Sequence, residues 1–147
     1  MKRLFTFAVA AAILSMLSCT KPDVGQGDSD GNPTDTTQVV PKEYVSVGVD
    51  DFEALIDDPA VQLVDVRTKS EYDEGHIAGA ALIDVYQSDF KEQALEMLDR
   101  NRPVAVYCRS GVRSRTASDT LSKEGFAVTN LDKGIQSWIA AGKPVTK

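Results

Sequence analysis

From residue 42 onward the chain alternates two textures. Short runs rich in β-branched residues lie at 44–47, 62–66, 80–85, 103–108 and 126–131, and each reads as a strand. The run Leu63-Val64-Asp65-Val66 is mostly apolar, as a strand covered on both faces should be. Pro103 opens the clearest such run, at a position where a strand tolerates the missing N–H. Between the runs, apolar residues recur at helical spacing. Val49, Phe52, Leu55 and Ile56 predict a helix over 49–57, and Phe90, Ala94, Leu95 and Leu98 predict one over 90–98. A third helix is expected over 114–123, stopped by Gly125, and a fourth over 135–141, ended by Gly142 and Pro144. Strands alternating with helices predict an α/β fold around a mainly parallel sheet.

The first 41 residues follow different rules. Lys2 and Arg3 precede an apolar stretch, 4–17, interrupted only by Thr6 and Ser15, and Ser18 then precedes Cys19. A basic start, a short apolar run and a small residue form the order of an export signal, and the run is too short for a spanning helix. Leu14-Ser15-Met16-Leu17-Ser18-Cys19 resembles the lipobox of bacterial lipoproteins, with Met16 where leucine is usual. The resemblance implies that Cys19 becomes an acylated first residue and that the protein is exported and lipid-anchored in the cell envelope, facing the periplasm or the cell surface. An ordinary secretory signal is the alternative. Residues 20–41 carry Pro22, Pro33, Pro41, Gly25, Gly27 and Gly31 among acids, so they cannot bury enough surface to offset their ordering entropy. The expected organisation is a signal peptide over 1–18, a polar tether over 19–41 and a folded domain over 42–147.

Composition narrows the chemistry. At 147 residues, with 42% hydrophobic and 26% charged, the chain suits one folded domain. A formal charge of −6 disfavours broad nucleic-acid binding, which needs an excess of Lys and Arg. Two cysteines and one histidine are too few for a zinc site of four Cys and His ligands.

The remaining thiol, Cys108, ends the clearest strand. It is followed by Arg109-Ser110-Gly111-Val112-Arg113-Ser114 and then a helix. In open α/β sheets ligands collect beyond the carboxyl ends of strands. A tight loop feeding a helix N-terminus aims backbone N–H groups at one place and favours an anion there. Gly111 permits the turn. Five arginines and no acid lie between Arg100 and Ser118, a local positive field in an acidic chain. Helix N-termini and arginines lower a thiol pKa, and the thiolate is the nucleophile. The bland alternative is an inert core cysteine.

Residues 108–114 resemble the active-site loop of single-domain rhodaneses, the thiosulfate sulfurtransferase family. Leu63-Val64-Asp65-Val66-Arg67, Glu71-Tyr72 and Gly75-His76-Ile77-Ala78-Gly79-Ala80 are similar to its N-terminal signature, and Asp132-Lys133-Gly134-Ile135-Gln136-Ser137-Trp138 to its C-terminal one. Lys133 stands where the family more often has glycine. The resemblance implies a five-stranded parallel sheet flanked by helices on both faces. It also implies a Cys108 persulfide that takes sulfur from thiosulfate or a similar small anion and passes it to a thiol or cyanide-like acceptor. Residues 109–114 would bind the substrate, while Asp65, Arg67 and His76 would give structural support. A binding module without activity is the alternative. A phosphatase or arsenate reductase is a weaker one, because arginine falls at 113 and 115 but not at 114, six places after the cysteine, where that chemistry requires it. Trp138 is expected in the core, and Glu43, Asp50, Asp51 and Glu53 on solvated surface. Oligomeric state is left open.

Overall fold

The computed structural model describes residues 43–147. The signal-type segment, Cys19 and the tether lie outside the described residues. The elements run β1 (Val45–Val47), α1 (Val49–Ile56), β2 (Gln62–Asp65), α2 (Lys69–Glu74), β3 (Ala81–Leu82), α3 (Phe90–Met97), β4 (Val104–Tyr107), α4 (Val112–Lys123), β5 (Val128–Leu131) and α5 (Gly134–Ala140). The strands form one five-stranded sheet in the order β1-β5-β4-β2-β3, and every neighbouring pair is parallel.

β4 lies at the centre, and all four of its residues are buried. Its side chains alternate between faces, as strand geometry requires. Val104 and Val106 pack with Phe90, Ala94, Ala117 and Leu121 of α3 and α4. Ala105 and Tyr107 pack with Phe52 of α1 and with Ile135 and Trp138 of α5. The sheet thus separates two hydrophobic cores, with helices on both faces as expected. Trp138 sits edge-on to Phe52, with ring centroids 6.4 Å apart, and its indole N–H donates to the Pro144 carbonyl. It is a core residue, also as expected.

Four differences from the expectations stand out. The helix α2 was not anticipated. Its sequence, Lys-Ser-Glu-Tyr-Asp-Glu, buries no residue and so carries no apolar period. What starts it is a capping box, in which the Thr68 side chain accepts from the Glu71 N–H while the Glu71 carboxylate accepts from the Thr68 N–H. The strand expected over 80–85 keeps only Ala81–Leu82 in regular pairing, although the Ile83 and Val85 N–H groups still donate to the Asp65 and Val66 carbonyls. Helix α4 begins at Val112, two residues before the expected Ser114, because Gly111 (φ +89°) already serves as its N-cap. Of the acids expected on open surface, Glu53 is half-buried and pairs with Lys143.

This strand order creates a switch point. The chain leaves β2 toward β3 on one side and leaves β4 toward β5 on the other. The carboxyl ends of these two adjacent strands, Asp65 to Arg67 and Tyr107 to Arg109, therefore flank a crevice.

Candidate active site

Cys108 follows directly on β4, and its side chain is 0% exposed. It borders the core on the α3–α4 face, yet the loop after it does not splay away. The chain turns at Gly111, whose N–H donates to Cys108 Sγ at 3.2 Å. The Ser114 hydroxyl lies 3.4 Å from the same sulfur and 3.2 Å from the Gly111 carbonyl, two acceptors for its one proton. Gly111 is required both by its positive φ and by space, since a Cβ there would lie 2.9 Å from the Lys133 backbone nitrogen. Burial raises the thiol pKa. The Ser114 hydroxyl and the N–H groups of Ser114, Ser110 and Gly111 lower it, and together they outweigh burial, so the thiol sits below its ordinary value.

The turn between β5 and α5 holds the loop from behind. The Ile135 N–H donates to the Cys108 carbonyl at 2.8 Å and the Gln136 N–H to the Arg109 carbonyl at 3.1 Å. With both carbonyls bound on that side, the amides further along the loop are free to face the sulfur. Gly134 makes the approach possible, because a Cβ there would lie 2.3 Å from the Cys108 carbonyl oxygen. Lys133, just before it, takes φ 59° and is the only non-glycine residue with positive φ among those described.

The arginines expected to form one positive field are placed differently from one another. Arg113 makes a bidentate pair with Glu71, both N–O distances being 2.7 Å, and its guanidinium lies over the Tyr86 ring at 5.4 Å. Its charge is matched by a carboxylate and is not free for an anion. The Glu71 carboxyl is correspondingly lowered to about 2, mainly by the Arg113 hydrogen bonds and against the effect of burial. Arg115 donates to the Gly111 carbonyl and stands 4.0 Å from Asp132. Arg109 and Ser110 are exposed, and Val112 is 65% exposed on the rim.

Asp65 and Arg67 pair with each other. Arg67 Nη2 lies 2.6 Å from Asp65 Oδ2, and a second donation from Nη2 reaches the Gly75 carbonyl at 2.8 Å. This buried pair ties the end of β2 to the turn after α2. His76 stacks on Tyr72 with centroids 3.6 Å apart, and its backbone pairs with Thr146. Both arrangements are contacts within the protein, to neighbouring side chains and backbone. Sequence reasoning missed Glu71 as the anchor of Arg113. The Thr68-x-x-Glu71 spacing is that of a capping box and could have marked Glu71 as a helix N3 residue, but nothing in the sequence links it to a guanidinium 42 positions away. Beside the loop, a cleft of about 280 Å³ is lined by Arg67, Glu71, Glu74, Arg109, Ile135, Gln136 and Ile139. No group of three or more His, Cys, Asp or Glu residues able to hold a metal occurs among the described residues.

Residues 48–141 match the rhodanese-like domain family. The chain is 35% identical to a sulfurtransferase of Allochromatium vinosum, covering 62% of this chain and 83% of that one. It is 33% identical to the putative sulfurtransferase YtwF of Bacillus subtilis, over 59% and 82% respectively. It is also 32% identical to the tRNA uridine(34) hydroxylase of Pectobacterium carotovorum, covering 81% of this chain but only 33% of that longer protein. Among solved structures, the rhodanese-related protein of Thermoplasma volcanium superposes with a TM-score of 0.63 at 35% identity, over 70% of this chain and 98% of that one. A match running through most of the described residues, a shared sheet, and a cysteine at the carboxyl end of its central strand agree: the chain belongs to the rhodanese-like domain family.

Proposed function

We propose that the protein is a sulfurtransferase that moves sulfane sulfur from thiosulfate or a similar donor to a thiophilic acceptor through a Cys108 persulfide. The observation that carries this reading is the convergence of the Gly111 N–H and the Ser114 hydroxyl on Cys108 Sγ. The Cys108 thiolate attacks the outer sulfur of thiosulfate. The S–S bond of the donor breaks, sulfite leaves with the bonding electrons, and Cys108 holds an S–S⁻ group. The acceptor then attacks the outer sulfur and the pair returns to Sγ. The N–H groups of Ser110, Gly111 and Ser114 form the cradle for this charge, as preorganised donors do at other developing anions. Arg113, locked to Glu71, holds the loop in shape, and Arg109 is the cation available to an incoming anion. No step calls for a metal or an organic cofactor.

Intact mass tests the reading. Thiosulfate should add about 32 Da, one sulfur atom, to the wild-type protein, and cyanide should remove it with release of thiocyanate. Cys108→Ser should gain nothing. An unchanged wild-type mass, or an equal gain in Cys108→Ser, overturns the proposal.

The setting belongs to the same proposal. With Cys19 acylated after a lipobox-like segment and a polar tether behind it, the domain works on the bacterial envelope, supported by the order of residues 1–41.

A further inference from the structure

Arginines stand at 109, 113 and 115 around the cysteine loop, but their charges are not equally available. Arg115 lies 4.0 Å from Asp132, and both side chains are about half exposed. Arg113 is held more firmly, with its guanidinium on both oxygens of Glu71 at 2.7 Å and both side chains largely covered. Glu71 is itself fixed, because its Oε2 accepts from the Thr68 N–H at 3.1 Å and from the Thr68 hydroxyl at 3.0 Å. Donors from the starts of two helices, α2 and α4, thus grip one carboxylate. Of the three arginines, only Arg109 enters no ion pair among the described residues. Arg113 directly precedes Ser114, whose hydroxyl lies 3.4 Å from Cys108 Sγ. A thiolate at Cys108 is among the charges that favour the charged guanidinium, so the pair stands within electrostatic range of the sulfur. Fastening the loop does not by itself require charge, since desolvation offsets much of the attraction in a covered ion pair. What the carboxylate adds is the cancellation of one positive charge beside the cradle.

We infer that Glu71 sets the charge selectivity of the cysteine site. By cancelling Arg113 it leaves Arg109 as the one unpaired cation of the loop, which suits a sulfur donor carrying a single negative charge and disfavours a dianion. This rests on the sulfurtransferase reading and names the donor class for it. Glu71 acts through Arg113 and is a positioning residue, not a catalytic one. The step it tunes is the loading of Cys108. With a singly charged thiosulfonate, the Cys108 thiolate attacks the outer sulfur and a new S–S bond forms to Sγ. The donor's own S–S bond breaks, and a sulfinate leaves with its electron pair. One thiolate and one monoanion become one persulfide anion and one sulfinate. Thiosulfate follows the same path with one more negative charge throughout, and that extra charge is the one a freed Arg113 would reward.

The test compares two donors that differ by one charge, thiosulfate and ethanethiosulfonate. The rate of sulfur gain is read by intact mass on the full chain at low salt, with Cys108→Ser as background. The quantity of interest is the ratio of the thiosulfate rate to the ethanethiosulfonate rate, because a loosened loop slows both donors alike. Glu71→Gln should raise this ratio by about threefold to tenfold, the range spanned by one unscreened charge near a protein surface, and added salt should shrink the rise. Glu71→Asp keeps the charge while shortening the side chain, and should hold the ratio near that of wild type. The double variant Glu71→Gln/Arg113→Gln restores the net charge and should also return the wild-type ratio. A ratio that is unmoved or lowered in Glu71→Gln, or raised as much in Glu71→Asp, overturns the inference. Should Glu71→Gln fail to fold, the double variant decides: a ratio well below that of wild type would mean that Arg113 binds the donor despite its partner, and would overturn the inference. Wild-type protein loaded by neither donor would instead count against the sulfurtransferase reading.

Discussion

At Cys108 two opposing effects decide the chemistry. The side chain is sealed from solvent, which favours the neutral thiol, while donors on the loop favour the thiolate and prevail. Alkylation of Cys108, followed by mass against pH, should therefore show a midpoint below the free-cysteine value of about 8.5. Ser114→Ala removes one donor and should move that midpoint upward. Glu71 offers a second check. Its carboxyl is held at about 2 when folded and should titrate near 4.3 when unfolded. A depressed carboxylate contributes its stability in full above the unfolded value and loses it as pH falls through the folded one. Glu71→Gln should thus be less stable than wild type by roughly 2 kcal/mol at pH 7, the scale of a half-buried bidentate pair. In urea denaturation the gap should begin to close below pH 4.3 and be nearly gone at pH 2. At this scale the sequence was legible where chemistry clusters locally. Cys108, Gly111 and Ser114 lie within seven consecutive residues, so they were found together. The Glu71–Arg113 pair was not, because it is made by tertiary structure, and charge counting alone does not show that Arg113 is paired.

Among the elements, the β5–α5 turn has the most leverage on the site. Lys133 holds a left-handed conformation that costs a side-chain-bearing residue about 1 kcal/mol, some of which glycine would give back as unfolded-chain entropy. Lys133→Gly should accordingly raise stability by about 0.5 kcal/mol, readable as a higher denaturation midpoint with an unchanged slope. Gly134→Ala should do the opposite and also disturb the loop, since its methyl group would collide with the Cys108 carbonyl. A fall in the rate of Cys108 alkylation at pH 7 would report that disturbance separately from stability. Periodicity exposed the elements that bury an apolar stripe, such as α1 around Phe52 and α3 around Phe90 and Ala94. It missed α2, which has no buried face, and over-extended the third strand, whose pairing past Leu82 is irregular.

For the whole molecule, one sheet divides two cores, and the order of its strands decides where the cysteine emerges. That order cannot be read from alternating textures, which give the number and kind of elements but not their neighbours; the resemblance implied five parallel strands, and the structure supplies their order. The organisation of residues 1–41 makes its own prediction. In a bacterial host, wild-type protein should incorporate labelled fatty acid and sediment with membranes, and Cys19→Ser should do neither; equal labelling of both would remove the anchor from the account. The last helix adds a further dependence. Its first N–H groups hold the Cys108 and Arg109 carbonyls, and its far end is fastened by the Trp138 indole to Pro144 and by the Thr146 backbone to His76. The peptide group of Cys108 is thus steadied from far along the sequence: deleting residues 144–147 would take away the Pro144 carbonyl and the Thr146 pairing, and so slacken the hold of α5 on the Cys108 carbonyl while the strands beneath stay paired.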